Sequence, residues 1–267
     1  MDVFRAQGRM RRMTKLWQLL LTAVYFTAFA VFGYLMALIW FNTLALFVHG
    51  RERTLTARRS ISASFRFFWN AASFLHFMDR RVEGLEKLKE DRGVMVIANH
   101  PSLVDYVLLA SLMPTCDCVV KASLKDKISM RHVIKSADYL MNSDGPELIE
   151  ECRERFRLGD NILIFPEGTR TPADGTLKFR HGFARIALRC RCPIRLVTLQ
   201  CSEHLLDKSR RWYNVPDKKP VFTVKVQDLI CADEIDTFAE NCSTEAIAAR
   251  HLCEHLQERF RQALASK

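Results

Sequence analysis

The segment Asn99-His100-Pro101-Ser102-Leu103-Val104-Asp105 holds a histidine and an aspartate at a spacing that can perform proton transfer. With His100 at the end of a strand and Pro101 opening the turn, Asp105 falls one turn into the following helix, where its carboxylate can fold back to the imidazole. A carboxylate on one ring nitrogen fixes the tautomer and supports the imidazolium, leaving the other nitrogen to take a proton from a hydroxyl. Ser102 lacks the G-x-S-x-G surroundings of a strained nucleophile and sits where a serine caps or ties down a turn. The nucleophile is then the substrate's own hydroxyl. A second polar cluster, Phe165-Pro166-Glu167-Gly168-Thr169-Arg170, follows the apolar run Asn161–Phe165. The guanidinium of Arg170 can hold a phosphate bidentately beside Gly168, which permits close approach; the alternative is an ion pair with Glu167 or Asp174 that shapes the loop.

Both clusters need elements to hold them. Val94–Ala98, Cys118–Lys121, Asn161–Phe165, Ile194–Leu199 and Val221–Val226 read as strands. Leu103–Leu112, Pro146–Leu158, Gly182–Arg191 and Thr244–Ala263 read as helices, the last with Ser243 as its cap and an apolar stripe at Leu252, Leu256 and Phe260. The alternation predicts an α/β fold, a single catalytic domain with a mostly parallel or mixed sheet flanked by helices. In such sheets ligands gather at the carboxyl ends of strands, where both clusters lie.

An NH-x₄-D string and FPEGTR together resemble the glycerolipid acyltransferase family typified by lysophosphatidic acid acyltransferases, and the resemblance runs over about 82–230. It implies an O-acyltransferase moving a fatty acyl group from acyl-CoA or an acyl-carrier protein to a lipid hydroxyl, with no other cofactor. It implies His100 as general base, Asp105 as its support, and substrate binding by Asn99, Glu167, Gly168, Thr169 and Arg170. Lys121 matches the family's K-x-x-L stretch, and Arg180 stands for the lysine of its F-K-x-G stretch. Two stretches depart from the pattern. Tyr139–Asp144 lacks the phosphate-binding arginine of the second motif, and Asn142, Ser143 and Asp144 there suit an uncharged acceptor better than lysophosphatidic acid. Cys192–Val197 has Leu196 at a proline of the fourth motif. Water could replace the acceptor, giving a thioesterase or lipid hydrolase; a catalytically silent lipid-binding protein would need neither intact motif.

The remaining signal is at the N-terminus. Ten of the first 66 residues are basic and two acidic, which is +8 of the net charge of +10. The rest is near neutral, so nucleic acid is excluded as a partner by the location of the charge. Leu16–Val48 carries no charged side chain over 33 residues. A straight helix of that length is about 50 Å, against a hydrocarbon core of roughly 30 Å. Anchored in a bilayer, it can tilt, let its ends emerge or fold back near Gly33, and arginines at both ends favour the two-armed form. The run is too long for a signal peptide's apolar region and has no A-x-A site after it.

The chain divides into a basic segment 1–15, a membrane segment 16–48, an interfacial or linking helix 49–81 and an acyltransferase domain 82–267. The linking helix either lies on the membrane surface, with arginines at the headgroups and aromatics in the interface, or packs its aromatic side on the domain. The nine cysteines read as reduced structural thiols with no metal among them. Reduced thiols and soluble thioester donors place the catalytic domain on the cytoplasmic face of the membrane.

Overall fold

The computed structural model describes residues 2–124, 126–142, 145–210, 212–214 and 216–265; the side chains of 2–15, 128 and 129 lie outside that description. Helix α1 (Asp2–Leu35) runs through a π-helical turn at Met36–Trp40 into α2 (Phe41–Phe47). Gly33 therefore does not break the segment. One glycine costs an exposed helix only about 1 kcal/mol, too little to end so apolar a run. Reversal comes at Val48–His49, where the backbone is extended and Gly50 takes a φ of +58°. Leu16–Phe47 is long and apolar enough to cross a membrane, and an 18-residue stretch within it has a mean hydropathy of 1.9 and is 11% buried.

Helix α3 (Gly50–Phe74) returns antiparallel along this rod. Tyr25 and Phe29 stack on Phe68, each with ring centroids 4.1 Å apart, and the Trp40 indole donates to Ser60 Oγ at 3.0 Å. The opposite side of α3 packs on the catalytic body, burying Ile61, Trp69 and Ala72. Phe67 and Phe74 point outward, so of the two roles expected of the linking helix's aromatics, packing on the body is seen for Trp69. Two of the arginines turn inward instead. Arg58 is 2% exposed and donates to Asp117 at 2.5 Å and Asp160 at 3.3 Å, while Arg51 forks onto Asp160. These two hold α3 to the body.

The body alternates β1 (Asp79–Glu83), α4 (Leu85–Glu90), β2 (Met95–Ala98), α5 (Asp105–Leu112), β3 (Asp117–Lys121), α6 (Ile128–Ala137), β4 (Leu140–Asn142), α7 (Pro146–Arg157) and β5 (Ile162–Ile164). It then continues with α8 (Gly182–Cys190), β6 (Ile194–Cys201), β7 (Val221–Ile230), α9 (Ala232–Glu240) and α10 (Glu245–Ala265). The seven strands form one sheet in the order β1-β7-β6-β2-β5-β3-β4. All neighbours are parallel except β6 and β7, so the sheet is mixed. Strands β2 and β5 are apolar at every position because helices cover both faces. Helices α7, α8 and α10 share one apolar cluster, and α5 shares another with α1 and α3.

Several boundaries differ from the sequence reading. The sheet begins at Asp79, ahead of the expected domain start at 82, because the polar strand Asp79–Glu83 occupies an edge where one neighbour suffices. Leu103 and Val104 form a turn, and α5 starts at Asp105 itself. Thr244, not Ser243, caps α10 by accepting the Ile247 N–H. Leu252, Leu256 and Phe260 are fully buried, as the stripe predicted. In the fourth-motif stretch, Arg195 of β6 is buried in a forked pair with Asp91.

Candidate active site

Strands β2, β5, β3 and β4 are adjacent and parallel, so their carboxyl ends line one edge of the sheet. That topology brings His100, Phe165–Arg170, Lys121 and Asn142 together from four separate stretches of chain. The loops after β2 and β5 are then clasped. The His100 N–H donates to Glu167 Oε1 at 3.0 Å and Thr171 Oγ1 at 3.2 Å, and the Thr171 N–H donates to the His100 carbonyl at 2.7 Å. The imidazole lies on the Phe165 ring with centroids 4.4 Å apart.

His100 Nδ1 is 2.9 Å from Asp105 Oδ2. Because the carboxylate can only accept, this nitrogen carries the proton, and Nε2 is left with a free lone pair. Asp105 reaches back from the first residue of α5, not from one turn within it. The Ser102 N–H donates to the same oxygen at 2.6 Å, whereas Asp105 Oδ1 is buried without a partner among the described residues. Burial raises the Asp105 carboxyl above its ordinary range, opposed by the bonds from His100 and Ser102. A carboxylate so poorly compensated gains most when the imidazole beside it becomes cationic.

The site opens into a cleft of about 1410 Å³, larger than the roughly 300–1,000 Å³ that holds one drug-sized ligand. On one side of the strand ends its wall is apolar, built from Phe29 and Tyr34 of α1, Phe65 of α3, and the hydrogen-bonded pair Tyr106 and Tyr139. Five cations also line it: Lys121, Arg170, Arg180, and Arg185 and Arg189 of α8. No carboxylate lines it among the described residues. A long apolar chain and an anionic group would each find matching surface.

The residues expected to bind substrate fall into two groups. Lys121, Gly168, Thr169, Arg170 and Arg180 border the cleft. Asn99 and Glu167 do not; both are buried beneath it. The Asn99 side chain donates to the Leu199 carbonyl and accepts the Leu199 N–H, and Glu167 is spent on His100 and Thr171. Burial raises the Glu167 carboxyl, with the Thr171 hydroxyl and His100 N–H pulling it back. Arg170 pairs with neither Glu167 nor Asp174; it donates to the carbonyls of Leu206 and Asp207. Gly168 has a φ of +64°, and a Cβ there would lie 3.1 Å from Arg180 Nε. Glycine thus lets Arg180 lie across the motif. The Ser102 hydroxyl donates to the Leu205 carbonyl at 2.9 Å, away from the cleft.

Residues 79–200 match the family model described as Acyltransferase. Over that stretch the chain is similar to the acyltransferase family. It is 28% identical over 189 residues to the chloroplastic 1-acyl-sn-glycerol-3-phosphate acyltransferase BAT2 of Brassica napus, covering 65% of this chain and 54% of that protein. It is 34% identical over 107 residues to the 1-acyl-sn-glycerol-3-phosphate acyltransferase of Cocos nucifera, covering 37% and 34% respectively. The chain thus spans about half or less of these two curated relatives. The crystal structure of the Thermotoga maritima 1-acyl-sn-glycerophosphate (LPA) acyltransferase, PlsC, superposes with a TM-score of 0.67 at 22% identity. That match covers 95% of this chain and 99% of the other, and carries the shared fold from the apolar rod to α10.

Sequence reasoning missed the α8 cations. His181, Arg185 and Arg189 recur every fourth residue, opposite the buried Phe183, Ile186 and Ala187; that spacing was the available signal. The cleft also bears on the acceptor. Of the stretch read as favouring an uncharged acceptor, Asn142 lines the cleft, and Ser143 and Asp144 lie outside the described residues. Arg170 and Arg180 on the cleft oppose that reading, because an uncharged headgroup would leave these two guanidinium groups without an anion.

Proposed function

We propose that this protein transfers a fatty acyl group from an acyl thioester to the hydroxyl of a phosphate-bearing lyso-lipid of the 1-acylglycerol-3-phosphate kind. The observation that carries the reading is a His–Asp pair opening onto a cleft that joins a broad apolar wall with five cations. His100 Nε2 takes the proton of the acceptor hydroxyl as its oxygen attacks the thioester carbonyl carbon. The tetrahedral intermediate collapses with cleavage of the C–S bond, and the imidazolium returns the proton to the departing sulfur. Asp105 holds the ring and balances its transient charge. Arg170 and Arg180, beside the histidine, hold the acceptor phosphate. The names of the relatives support this acceptor class.

The experiment is a competition among lysophosphatidic acid and neutral and zwitterionic lyso-lipids under one acyl donor. Lysophosphatidic acid should show the highest kcat/KM, and Arg180→Gln should reduce that preference at least tenfold. A higher kcat/KM for a neutral acceptor would refute the anionic class, and hydrolysis without transfer to any acceptor would refute acyl transfer itself.

The apolar rod lies in the bilayer, with the catalytic body on the cytoplasmic side, where thioester donors are found. Burial pushes the Cys116 thiol up to about 12, in keeping with an unreactive structural thiol. In sealed cells, external protease should spare the body until the membrane is permeabilised; cleavage of the body in intact cells would reverse the orientation.

A further inference from the structure

The acceptor phosphate does not account for all the cations. In a lyso-lipid of this kind the phosphorus is about four bonds from the reacting hydroxyl oxygen, so at about 1.2 Å of reach per bond it lies within roughly 5 Å. Its partners must adjoin His100, as Arg170 and Arg180 do. Arg185 and Arg189 lie elsewhere. Helix α8 connects the end of β5 to the start of β6, and both strands are parallel to β2, so α8 runs away from the strand-end row. From Gly182, Arg185 and Arg189 are displaced roughly 5 and 10 Å along the axis. His181, Arg185 and Arg189 form one stripe on the cleft wall.

The fold compensates only part of this stripe. Arg189 pairs with Glu245, but Arg185 has no ion pair among the described residues and is exposed. Like charges four residues apart on a helix repel. The same end of the cleft receives the N-terminus of α7 at Gly145 and Pro146, whose partial positive charge adds to that of the arginines. A bound anion would offset both.

We infer that the His181, Arg185 and Arg189 stripe of α8 binds the phosphoester of the acyl donor's phosphopantetheine arm, at a subsite separate from that of the acceptor phosphate. The inference rests on the acyl-transfer reading above. About 13 bonds separate the thioester sulfur from the nearest phosphorus of that arm, a reach of roughly 16 Å when extended. With the thioester at His100, such an arm can follow α8 as far as Arg189. Coenzyme A and acyl-carrier protein share this phosphoester, so the chemistry is common to both donors.

The test uses the full chain in detergent or bilayer discs and compares wild type with Arg185→Gln and Arg185→Lys. Equilibrium binding of 4′-phosphopantetheine should weaken about tenfold to a hundredfold in Arg185→Gln, less in Arg185→Lys, while weak binding of unphosphorylated pantetheine stays the same. In turnover, KM should rise in Arg185→Gln for acyl-CoA or acyl-carrier protein, whichever the wild type uses, but not for acyl-pantetheine or for the acceptor. Unchanged phosphopantetheine binding, or an equal change with pantetheine, would overturn the subsite. The binding arm decides this even if no acyl transfer occurs, a result that would sink only the activity.

Discussion

Replacing His100 with alanine is expected to lower kcat by about 10²–10⁴-fold, the usual contribution of a positioned general base, while the protein stays folded. The ring borders the cleft and packs on Phe165 alone among the aromatic residues, so its removal leaves the sheet untouched. The clasp between the two loops uses the backbone of residue 100 and survives. Asp105→Asn should also be severe, for a different reason. A carboxamide can donate to Nδ1 and so favour the tautomer with its proton on Nε2, which cannot accept the hydroxyl proton. Rates are to be measured with a saturating acyl donor on purified protein whose melting curve matches the wild type. Turnover of folded His100→Ala within threefold of wild type would remove the histidine from the chemistry.

The dyad was legible in the sequence because each half of it sits beside a strand that local composition reveals. VMVIA and NILIF are apolar on both faces, and in a parallel sheet their ends must meet at one edge. The roles of Asn99 and Glu167 were not legible. An amide and a carboxylate within motifs look like ligand contacts, yet burial turned both into fasteners for the backbone around His100. Hydropathy placed the apolar rod correctly but not its turn, since Leu16–Phe47 is uniformly apolar and the reversal depends on Gly50 taking a positive φ. Strand β1 escaped because its polar sequence reflects an edge position that only the completed sheet defines.

Arg58 was the hardest residue to read and should be the most costly to lose outside the dyad. In the sequence it is one arginine among many near an apolar segment; its partners, Asp117 and Asp160, lie 59 and 102 residues away. The guanidinium also donates to the Ala137 carbonyl at 2.8 Å, tying α3 to β3, to the start of β5 and to the end of α6. Asp117 is wholly buried and Asp160 nearly so. Removing the cation leaves Asp117 to Arg155 at 3.3 Å and Asp160 to Arg51 at 2.7 Å, two partners set nearer the surface. Arg58→Ala is therefore expected to destabilise the protein by about 3–5 kcal/mol and to lower Tm by roughly 10 °C. Combined with Asp117→Asn, the loss should be smaller than the sum of the single changes, because the uncompensated charge is gone. Activity should follow the geometry of the cleft. Ile61 and Phe65 of α3 line its apolar side, so a loosened α3 should raise KM for long-chain donors more than it lowers kcat. A cost below about 0.5 kcal/mol, the range of an ordinary surface substitution, would mean that apolar packing of Ile61 and Trp69 alone fixes α3 to the body.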